Sequence, residues 1–259
     1  MADRLDGTVA LVTGASSGIG EATAEALAAD GATVVVAARR GDRLKDLAGR
    51  IEAAGGGGGG GKALVHEADV TDEEQVKAMI QRTVDELGRL DTIVNNAGVM
   101  LLGPVEGAPM EEWRRMVELN VLGLLYCTHA AMPHLLKAAE DGPRRVADVV
   151  NISSVAGRVA RQGSGVYNAT KFGVGAFSES LRQEFTERHV RVTIIEPGAV
   201  ATELGSHNRP EVQESMAKRF GNVEMLQAVD IAETISFAVT RPRHVSLNEI
   251  LVRPTEQQG

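Results

Sequence analysis

Tyr167 and Lys171 stand four positions apart and could together carry proton-transfer chemistry. Residues at this spacing project from the same face of a helix. A free phenol, with a pKa near 10, is a poor acid or base at neutral pH, but a neighbouring ammonium group favours the phenolate and lowers that pKa. The spacing therefore predicts a tyrosine that gives a proton to a substrate oxygen, or takes one from it.

Two further polar residues, Ser154 and Asn120, lie in apolar surroundings. Ser154 ends the strand-like segment Asn151-Ile-Ser-Ser, 13 residues before Tyr167. A hydroxyl there could stabilise a developing alkoxide, as one donor of an oxyanion hole does. Asn120 falls within a predicted apolar helix, where a buried amide needs hydrogen-bond partners. An asparagine that is satisfied within the core is the structural alternative.

A glycine-rich turn, Thr13-Gly-Ala-Ser-Ser-Gly-Ile-Gly20, joins the first predicted strand to the first predicted helix. Glycines at such a junction let backbone N–H groups approach a pyrophosphate at the positive end of the helix. A plain tight turn would not need three glycines, so the turn indicates a dinucleotide site. The predicted cradle consists of Gly14, Ser16, Ser17, Gly18, Ile19 and Gly20.

The end of the second predicted strand indicates which dinucleotide is bound. In NAD-binding folds an acidic residue about 20 positions after the glycine turn binds the ribose 2′-hydroxyl. Here that position holds Arg39 and Arg40, and guanidinium groups suit a 2′-phosphate. A solvated basic pair is the alternative, but we expect NADP(H). Asp69 and Val70, after the third strand, are then expected to contact the adenine.

The remaining pattern alternates short β-branched runs with longer helical stretches, which predicts an α/β fold. Most strand candidates are continuous apolar runs, typical of strands buried on both faces of a parallel sheet. The predicted strands are 9–13, 33–37, 63–66, 91–94, 146–152, 191–195 and 249–252. The predicted helices are 19–30, 42–54, 72–87, 110–139, 167–188 and 230–239. We expect a doubly wound (Rossmann), mostly parallel seven-stranded sheet with helices on both faces, in one domain spanning 1–259.

Two segments fall outside this alternation. The glycines 55–61 follow a predicted helix and are expected to form a flexible loop. Residues 205–226 are polar with weak periodicity, and a long irregular stretch of this kind predicts a substrate lid.

Taken in chain order, these features resemble the short-chain dehydrogenases/reductases, in their compact, single-domain, NADP-preferring form. The motifs that carry the resemblance are Thr13-Gly-x-x-x-Gly-x-Gly, Asn95-Asn-Ala-Gly98, Asn120, Ser154, Tyr167-x-x-x-Lys171 and Pro197-Gly198. The resemblance implies hydride transfer between a nicotinamide and a carbonyl or alcohol. It also implies that the catalytic residues are Asn120, Ser154, Tyr167 and Lys171.

Individual roles follow from the same resemblance. Lys171 would hold the nicotinamide ribose, Asn120 a water that links Lys171 to solvent, and Thr202 the nicotinamide carboxamide. The further cofactor-binding residues implied are Asn96, Ala97, Gly98, Tyr167, Pro197, Gly198 and Val200.

The substrate is expected to be a small to medium hydrophobic carbonyl compound. The predicted wall consists of Met100, Leu101, Leu102, Val155, Gly157, Arg158, Val159, Val166, Ala199, Glu203 and Leu204. Glu203, Glu211 or Glu214 could bind an amine. Finer resemblance to bacterial clavulanate-aldehyde reductases and amino-alcohol dehydrogenases makes an amino ketone the leading hypothesis. Alternatives are a 3-hydroxy acid (serine-type) held by Arg158 or Arg161, and a non-catalytic NADP-sensing regulator.

Composition excludes several other classes. With 27 basic and 35 acidic residues the net charge is −8, and aromatic residues make up 3%, which disfavours nucleic-acid binding. No apolar run reaches about 18 residues, and the first residues lack the apolar segment of a signal peptide. The single cysteine, Cys127, is expected in the core, and no histidine spacing predicts a metal site. We expect a cytoplasmic homotetramer, or a dimer, without membrane or nucleic-acid partners.

Overall fold

The computed structural model describes residues 5–55 and 61–258. They form a seven-stranded sheet in the order β3-β2-β1-β4-β5-β6-β7, with every neighbouring pair parallel. The strands are β1 Val9–Thr13, β2 Thr33–Ala38, β3 Ala63–Glu67, β4 Thr92–Asn95, β5 Ala147–Ile152, β6 Val190–Pro197 and β7 Glu249–Val252. The order reverses between β1 and β4, which makes the sheet doubly wound and opens a crevice beyond the carboxyl ends of these strands.

Helices cover both faces of the sheet. They are α1 Gly18–Ala29, α2 Gly41–Ala54, α3 Glu73–Leu87, α4 Met110–Val117, α5 Gly123–Asp141, α6 Gly165–Phe185, α7 Pro210–Phe220 and α8 Ala228–Val239. One core packs α1, α2 and α8 against the sheet, and the other packs α3, α5 and α6 against its opposite face. The predicted fold class is confirmed.

The apolar runs of the sequence explain this layering. Within β1, Val9 and Leu11 point into one core, while Ala10 and Val12 point into the other. A strand buried on both faces needs apolar residues at every position rather than at alternate ones. Cys127 is buried in the core that contains Val9 and Leu11, where burial raises the pKa of its thiol to about 12.

The helix predicted over 110–139 is interrupted. A π-helical turn at Glu118–Leu122 separates α4 from α5. The side-chain amide of Asn120 within this turn bonds both backbone groups of Val99, at 2.8 Å each. A π-turn inserts one extra residue into a helix, often at functional sites, and here it directs Asn120 toward the loop after β4.

The segment predicted to be irregular, 205–226, contains a helix. A 3₁₀ turn, Glu203–His207, leads into α7, which starts at Pro210. Proline at the first helical position costs no hydrogen bond, because that N–H has no partner within the helix. The predicted helix over 167–188 ends at Phe185 and continues only as a 3₁₀ turn, Thr186–Arg188.

The predicted glycine loop, 55–61, lies between α2 and β3, but its residues 56–60 are outside the described part of the chain. Among the residues described, no helix is both long and apolar enough to cross a bilayer.

Candidate active site

A cavity of about 940 Å³ opens at the carboxyl ends of the strands. Its walls come from the β1–α1 turn, the ends of β2, β4, β5 and β6, the start of α6, and the segment that carries α7. This is the crevice that a doubly wound sheet provides at its switch point. Its size falls in the range of small-molecule and cofactor sites.

The glycine turn fits a backbone cradle. Gly14 has a φ of +65°, and a Cβ there would lie 2.8 Å from the Cα of Ala97. A Cβ on Gly20 would collide with the side-chain nitrogen of Asn96, which itself donates to the carbonyl oxygens of Thr13 and Gly14 at 2.9 and 3.2 Å. A side chain at either position would therefore disturb the contact between the turn and the loop after β4.

Arg40 is fixed against this turn. Its Nε donates to the Ser16 hydroxyl at 3.0 Å, and its Nη2 donates to the Ser17 hydroxyl at 2.7 Å. Arg39, beside it, lies 3.6 Å from the carboxylate of Asp69. Both arginines line the cavity at the end of β2, where dinucleotide folds read the ribose 2′ substituent.

Glu203 lies at this end of the cavity, and its carboxylate is engaged there. It accepts from Nη1 of Arg40 at 2.9 Å and from Nη1 of Arg43 at 2.8 Å. These bonds lower the pKa of Glu203 to about 2, so the carboxylate is ionised and paired. Sequence reasoning missed Arg43, although its place three residues after Arg40, at the start of a predicted helix, was a usable signal.

Tyr167, Ser154 and Lys171 converge in the cavity. Tyr167 and Lys171 lie in the first turns of α6, while Ser154 follows β5. The Tyr167 hydroxyl hydrogen-bonds Ser154, and Nζ of Lys171 lies 5.8 Å from the tyrosine ring centroid. Lys171 also donates to the carbonyl oxygen of Ile152 at 2.8 Å, which holds its chain along the end of β5.

Burial shifts the pKa values of this pair in opposite directions. It raises the pKa of Tyr167 to about 12, against a smaller lowering by the hydrogen bond to Ser154, and it lowers the pKa of Lys171 to about 8. Desolvation disfavours the charged form of either group. Where the sequence predicted that Lys171 lowers the tyrosine pKa, burial therefore raises that pKa in the protein without its cofactor.

Asn120 lies behind the cavity rather than in its wall. Besides its bonds to Val99, its side-chain nitrogen donates to the Thr170 hydroxyl at 3.3 Å. A Cβ built on Gly98 would lie 3.3 Å from Asn120 Oδ1 and 3.9 Å from Lys171 Nζ. The side chains of Asn120 and Lys171 therefore both approach the backbone of Gly98, which has no side chain to separate them. Asn120 thus connects the π-turn to helix α6 and to the loop after β4.

Most other predicted site residues also line the cavity. Those toward the cofactor are Gly14, Ser16, Ser17, Gly18, Ile19, Arg39, Arg40, Asp69, Val70, Asn96, Ala97, Gly98, Tyr167, Lys171, Pro197, Gly198, Val200 and Thr202. Gly20 is not among them, because it packs under the turn. Of the predicted substrate wall, Met100, Leu102, Val155, Val159, Ala199, Glu203 and Leu204 line the cavity, whereas Leu101, Gly157, Arg158 and Val166 do not.

Arg158 is turned away from the cavity by two carboxylates. Its Nε lies 2.7 Å from Glu196, and its Nη2 is paired with Glu249 at the end of the sheet. Arg161 does line the cavity, and so does Glu211, but Glu214 does not. Six of the lining residues that sequence reasoning did not single out are Arg115, His207, Met216, Arg219, Phe220 and Met225. Four of these six belong to the segment between 210 and 226, whose helical form the sequence did not reveal.

In the part of the chain that the structure describes, no cluster of three histidine, cysteine or carboxylate side chains could hold a metal ion. The polar groups that converge in the cavity are instead hydroxyls, an ammonium and guanidinium groups. They can hold a phosphorylated cofactor and move a proton at a carbonyl or hydroxyl oxygen.

Comparison with known proteins agrees with this geometry. The model of the short chain dehydrogenase family matches residues 8–213. Glycine betaine reductase ATRR of Emericella nidulans is 39% identical over 254 residues, which cover 98% of this chain but 19% of that protein. An uncharacterized oxidoreductase of Staphylococcus saprophyticus is 36% identical over 252 residues, 96% of each chain.

Among solved structures, the closed form of serine dehydrogenase complexed with NADP+ superposes with a TM-score of 0.86. The two sequences are 31% identical, and the match covers 97% of each chain. The relatives and the solved structure match nearly the whole chain, and the family model matches residues 8–213. The chain belongs to the short-chain dehydrogenase family of oxidoreductases.

Proposed function

We propose that this protein is an NADP(H)-dependent oxidoreductase that interconverts a ketone or aldehyde and an alcohol. The observation that carries the proposal is the convergence of Ser154, Tyr167 and Lys171 on one cavity with the glycine turn. Arg40, held by Ser16 and Ser17 where the 2′ substituent is read, supports NADP(H) over NAD(H). The NADP+ complex of serine dehydrogenase supports the same cofactor.

When bound, NADP(H) supplies or accepts a hydride at its nicotinamide ring. Tyr167 donates its hydroxyl proton to the carbonyl oxygen in reduction and takes it back in oxidation. Ser154, in hydrogen-bond contact with Tyr167, holds the same oxygen as negative charge develops. Lys171 stabilises the phenolate through its positive charge and is oriented by the Ile152 carbonyl. Asn120 positions Val99 and the start of α6. We propose that a water beside Asn120 relays protons to Lys171.

The test is oxidation of NADPH, followed by its absorbance, against aldehydes, aryl ketones, amino ketones and 3-keto acids. Tyr167→Phe should lose about 10²- to 10⁴-fold in kcat, because positioned proton transfer contributes that much. Its NADPH Kd should stay within about twofold, since the substitution removes only the hydroxyl. Tight NADPH binding without turnover of any compound would instead favour an NADP-sensing regulator.

For the substrate we favour a pair that carries a carboxylate, a 3-keto acid and the corresponding 3-hydroxy acid. Arg161, on the loop after β5, and Arg219, on α7, both line the cavity, and the pKa of Arg219 is lowered by burial first and by the charge of Arg161 second. Two guanidinium groups that line one cavity can bind a carboxylate there through charge-assisted hydrogen bonds. The remaining lining near them, Val159, Met216 and Phe220, is apolar.

Arg161→Gln and Arg219→Gln test this preference, with Lys218→Gln, next in the chain and outside the cavity wall, as the matched control. We expect the KM of a 3-keto acid to rise roughly tenfold or more in each arginine variant. The KM of its methyl ester should stay unchanged. Equal effects on acid and ester would reject a carboxylate-binding role.

An amino ketone is the second candidate. Glu211, on α7, lines the cavity and could bind an amine, although it also lies 3.5 Å from Arg209. Glu203 no longer supports this candidate, because its carboxylate pairs with Arg40 and Arg43. Glu211→Gln should remove any preference of the wild type for an amino ketone over its deaminated analogue; if the preference is unchanged, the candidate fails.

We also propose that the protein acts in the cytoplasm as a homotetramer. Two separate sets of apolar side chains are exposed: Val117, Leu122 and Phe172 along α4 to α6, and Val229, Phe237 and Leu251 along α8 and β7. Two self-complementary patches on one chain can generate two dyads and hence a tetramer.

A further inference from the structure

A bridge of charged side chains crosses the mouth of the cavity at its cofactor end. The carboxylate of Glu203 accepts from Arg40 at 2.9 Å and from Arg43 at 2.8 Å. Arg40 follows β2 and Arg43 lies in the first turn of α2, whereas Glu203 starts the 3₁₀ turn that leads to α7. The bridge therefore connects the cavity wall at the end of β2, where we expect the adenosine ribose to bind, with the start of the segment that carries α7.

The two arginines form a preformed anion site. Nε and Nη2 of Arg40 donate to the hydroxyls of Ser16 and Ser17, which fixes the plane of its guanidinium group. The remaining nitrogen, Nη1, donates to Glu203. Arg43 adds a second guanidinium to the same carboxylate. Two guanidinium groups beside a serine hydroxyl, at the end of the second strand, are the donors that a ribose 2′-phosphate requires.

We propose that Glu203 occupies the 2′-phosphate site of the protein without cofactor, and that NADP(H) must displace this carboxylate in order to bind. Glu203 is then a specificity-determining residue, since it weakens NADP(H) binding while leaving NAD(H) binding alone. This inference rests on the proposed NADP(H) dependence.

Charge explains why the Glu203 carboxylate and the 2′-phosphate do not occupy the arginine site at the same time. A phosphate monoester carries about −1.5 to −2 charges at neutral pH and offers three acceptor oxygens, against one charge and two oxygens for the carboxylate. Glu203 is ionised throughout the physiological range, because its pKa lies at about 2, so it repels the phosphate. Its side chain is already 44% exposed, and it can therefore move into water at little cost. A 2′-hydroxyl has no charge with which to compete for the arginines.

Direct binding tests the proposal without any substrate. The Kd values of NADPH and NADH are measured by fluorescence titration for the wild type, Glu203→Gln and Glu214→Gln. Glu214 is the matched control, a lid glutamate outside the cavity wall. We expect Glu203→Gln to bind NADPH roughly three- to tenfold more tightly, the effect of two exposed ion pairs. Its NADH Kd, and both values of Glu214→Gln, should stay within about twofold.

Four results would overturn the inference. Weaker NADPH binding by Glu203→Gln would mean that the bridge clamps the bound cofactor. Equal changes for NADPH and NADH, or equal changes in Glu214→Gln, would mean a general effect of charge. An unchanged NADPH Kd would mean that the carboxylate does not compete. A wild type that binds no NADPH would instead remove the proposed function itself, which separates the two failures.

Discussion

At the scale of single residues, burial governs the acid–base pair. Tyr167 and Lys171 are both buried, and the same cost of desolvating charge raises one pKa to about 12 and lowers the other to about 8. The phenol is therefore protonated at neutral pH and ready to donate to a carbonyl oxygen. The ammonium that stabilises the resulting phenolate, however, becomes easy to lose in mildly alkaline solution.

This gives a pH prediction for the reduction reaction. We expect kcat to be flat from about pH 6 to 7.5 and to fall as pH rises through about 8, because Lys171 then loses its proton while Tyr167 keeps its own. The profile is measured under NADPH saturation. A rate that stays constant up to about pH 10 would contradict the assignment of this limb to Lys171.

Folding stability provides the control for that profile. Lys171 has a lower pKa folded than unfolded, so between pH 8 and the ordinary lysine value of 10.5 the unfolded chain binds more protons. Its contribution to stability therefore rises with pH over this window. A loss of activity above pH 8 without a loss of stability separates deprotonation of Lys171 from unfolding.

At the scale of elements, a buried ion pair connects two strands that lead into the cavity wall. On β6, Arg191 pairs with Asp148 on β5 through two bonds of 2.7 and 2.9 Å. The same guanidinium donates to the carbonyl oxygens of Val239 and Val245, at and beyond the end of α8, each at 2.8 Å. Beyond these pairings, β5 leads to Ser154 and β6 leads to Pro197. The network therefore holds the last helix and the two strands beneath the cavity in one arrangement.

Removing this guanidinium should be costly. We expect Arg191→Met to lower the free energy of unfolding by about 3 to 5 kcal/mol, because the Asp148 carboxylate would stay buried with its main partner gone. Arg188→Met, which breaks only the exposed pair with Glu140, should cost less than about 1 kcal/mol. Urea unfolding measures both. A loss below about 1 kcal/mol in Arg191→Met would mean that Arg144, 3.4 Å from Asp148, compensates.

At the scale of the whole molecule, the chain presents apolar surface on two sides. Phe172 on α6 is 45% exposed, and Phe237 on α8 is 51% exposed with Arg241 stacked 4.0 Å from its ring centroid. The two phenylalanines belong to helices on opposite faces of the sheet. Surfaces of this kind mark association sites in proteins.

The oligomeric state tests these surfaces separately. We expect the wild type to elute as a tetramer, and Phe172→Asp and Phe237→Asp each to give dimers, because each charge blocks one dyad. Light scattering after gel filtration measures the mass. Glu233→Gln, an exposed change on α8, is the control and should remain tetrameric. A monomeric wild type would reject the proposal.

The local patterns of the sequence were sufficient for the fold and for the prediction that Tyr167 and Lys171 share one site, the cavity that both residues line. The glycine turn, the paired Tyr167 and Lys171, and the apolar runs of the strands depend on residues close together in the chain, whose backbone geometry follows from their types. Helix α7 and the π-turn at Asn120 were not predicted. The first depends on a proline start in a polar segment, and the second depends on hydrogen bonds to Val99, 21 positions away.

Which charges face the cavity was decided by the tertiary structure alone. From the sequence, Arg158 and Arg161 were candidates to bind an anionic substrate, and Glu203 was a candidate to bind an amine. In the folded chain Arg158 is captured by Glu196, 38 positions away, and Glu203 by Arg40, 163 positions away, while Arg161 lines the cavity. A charged side chain pairs with whatever the fold brings near it, and such pairings have no signature in local sequence. The sequence by itself therefore determined the reaction class, and the three-dimensional arrangement of distant charges decided which charged side chains are already paired and which line the cavity.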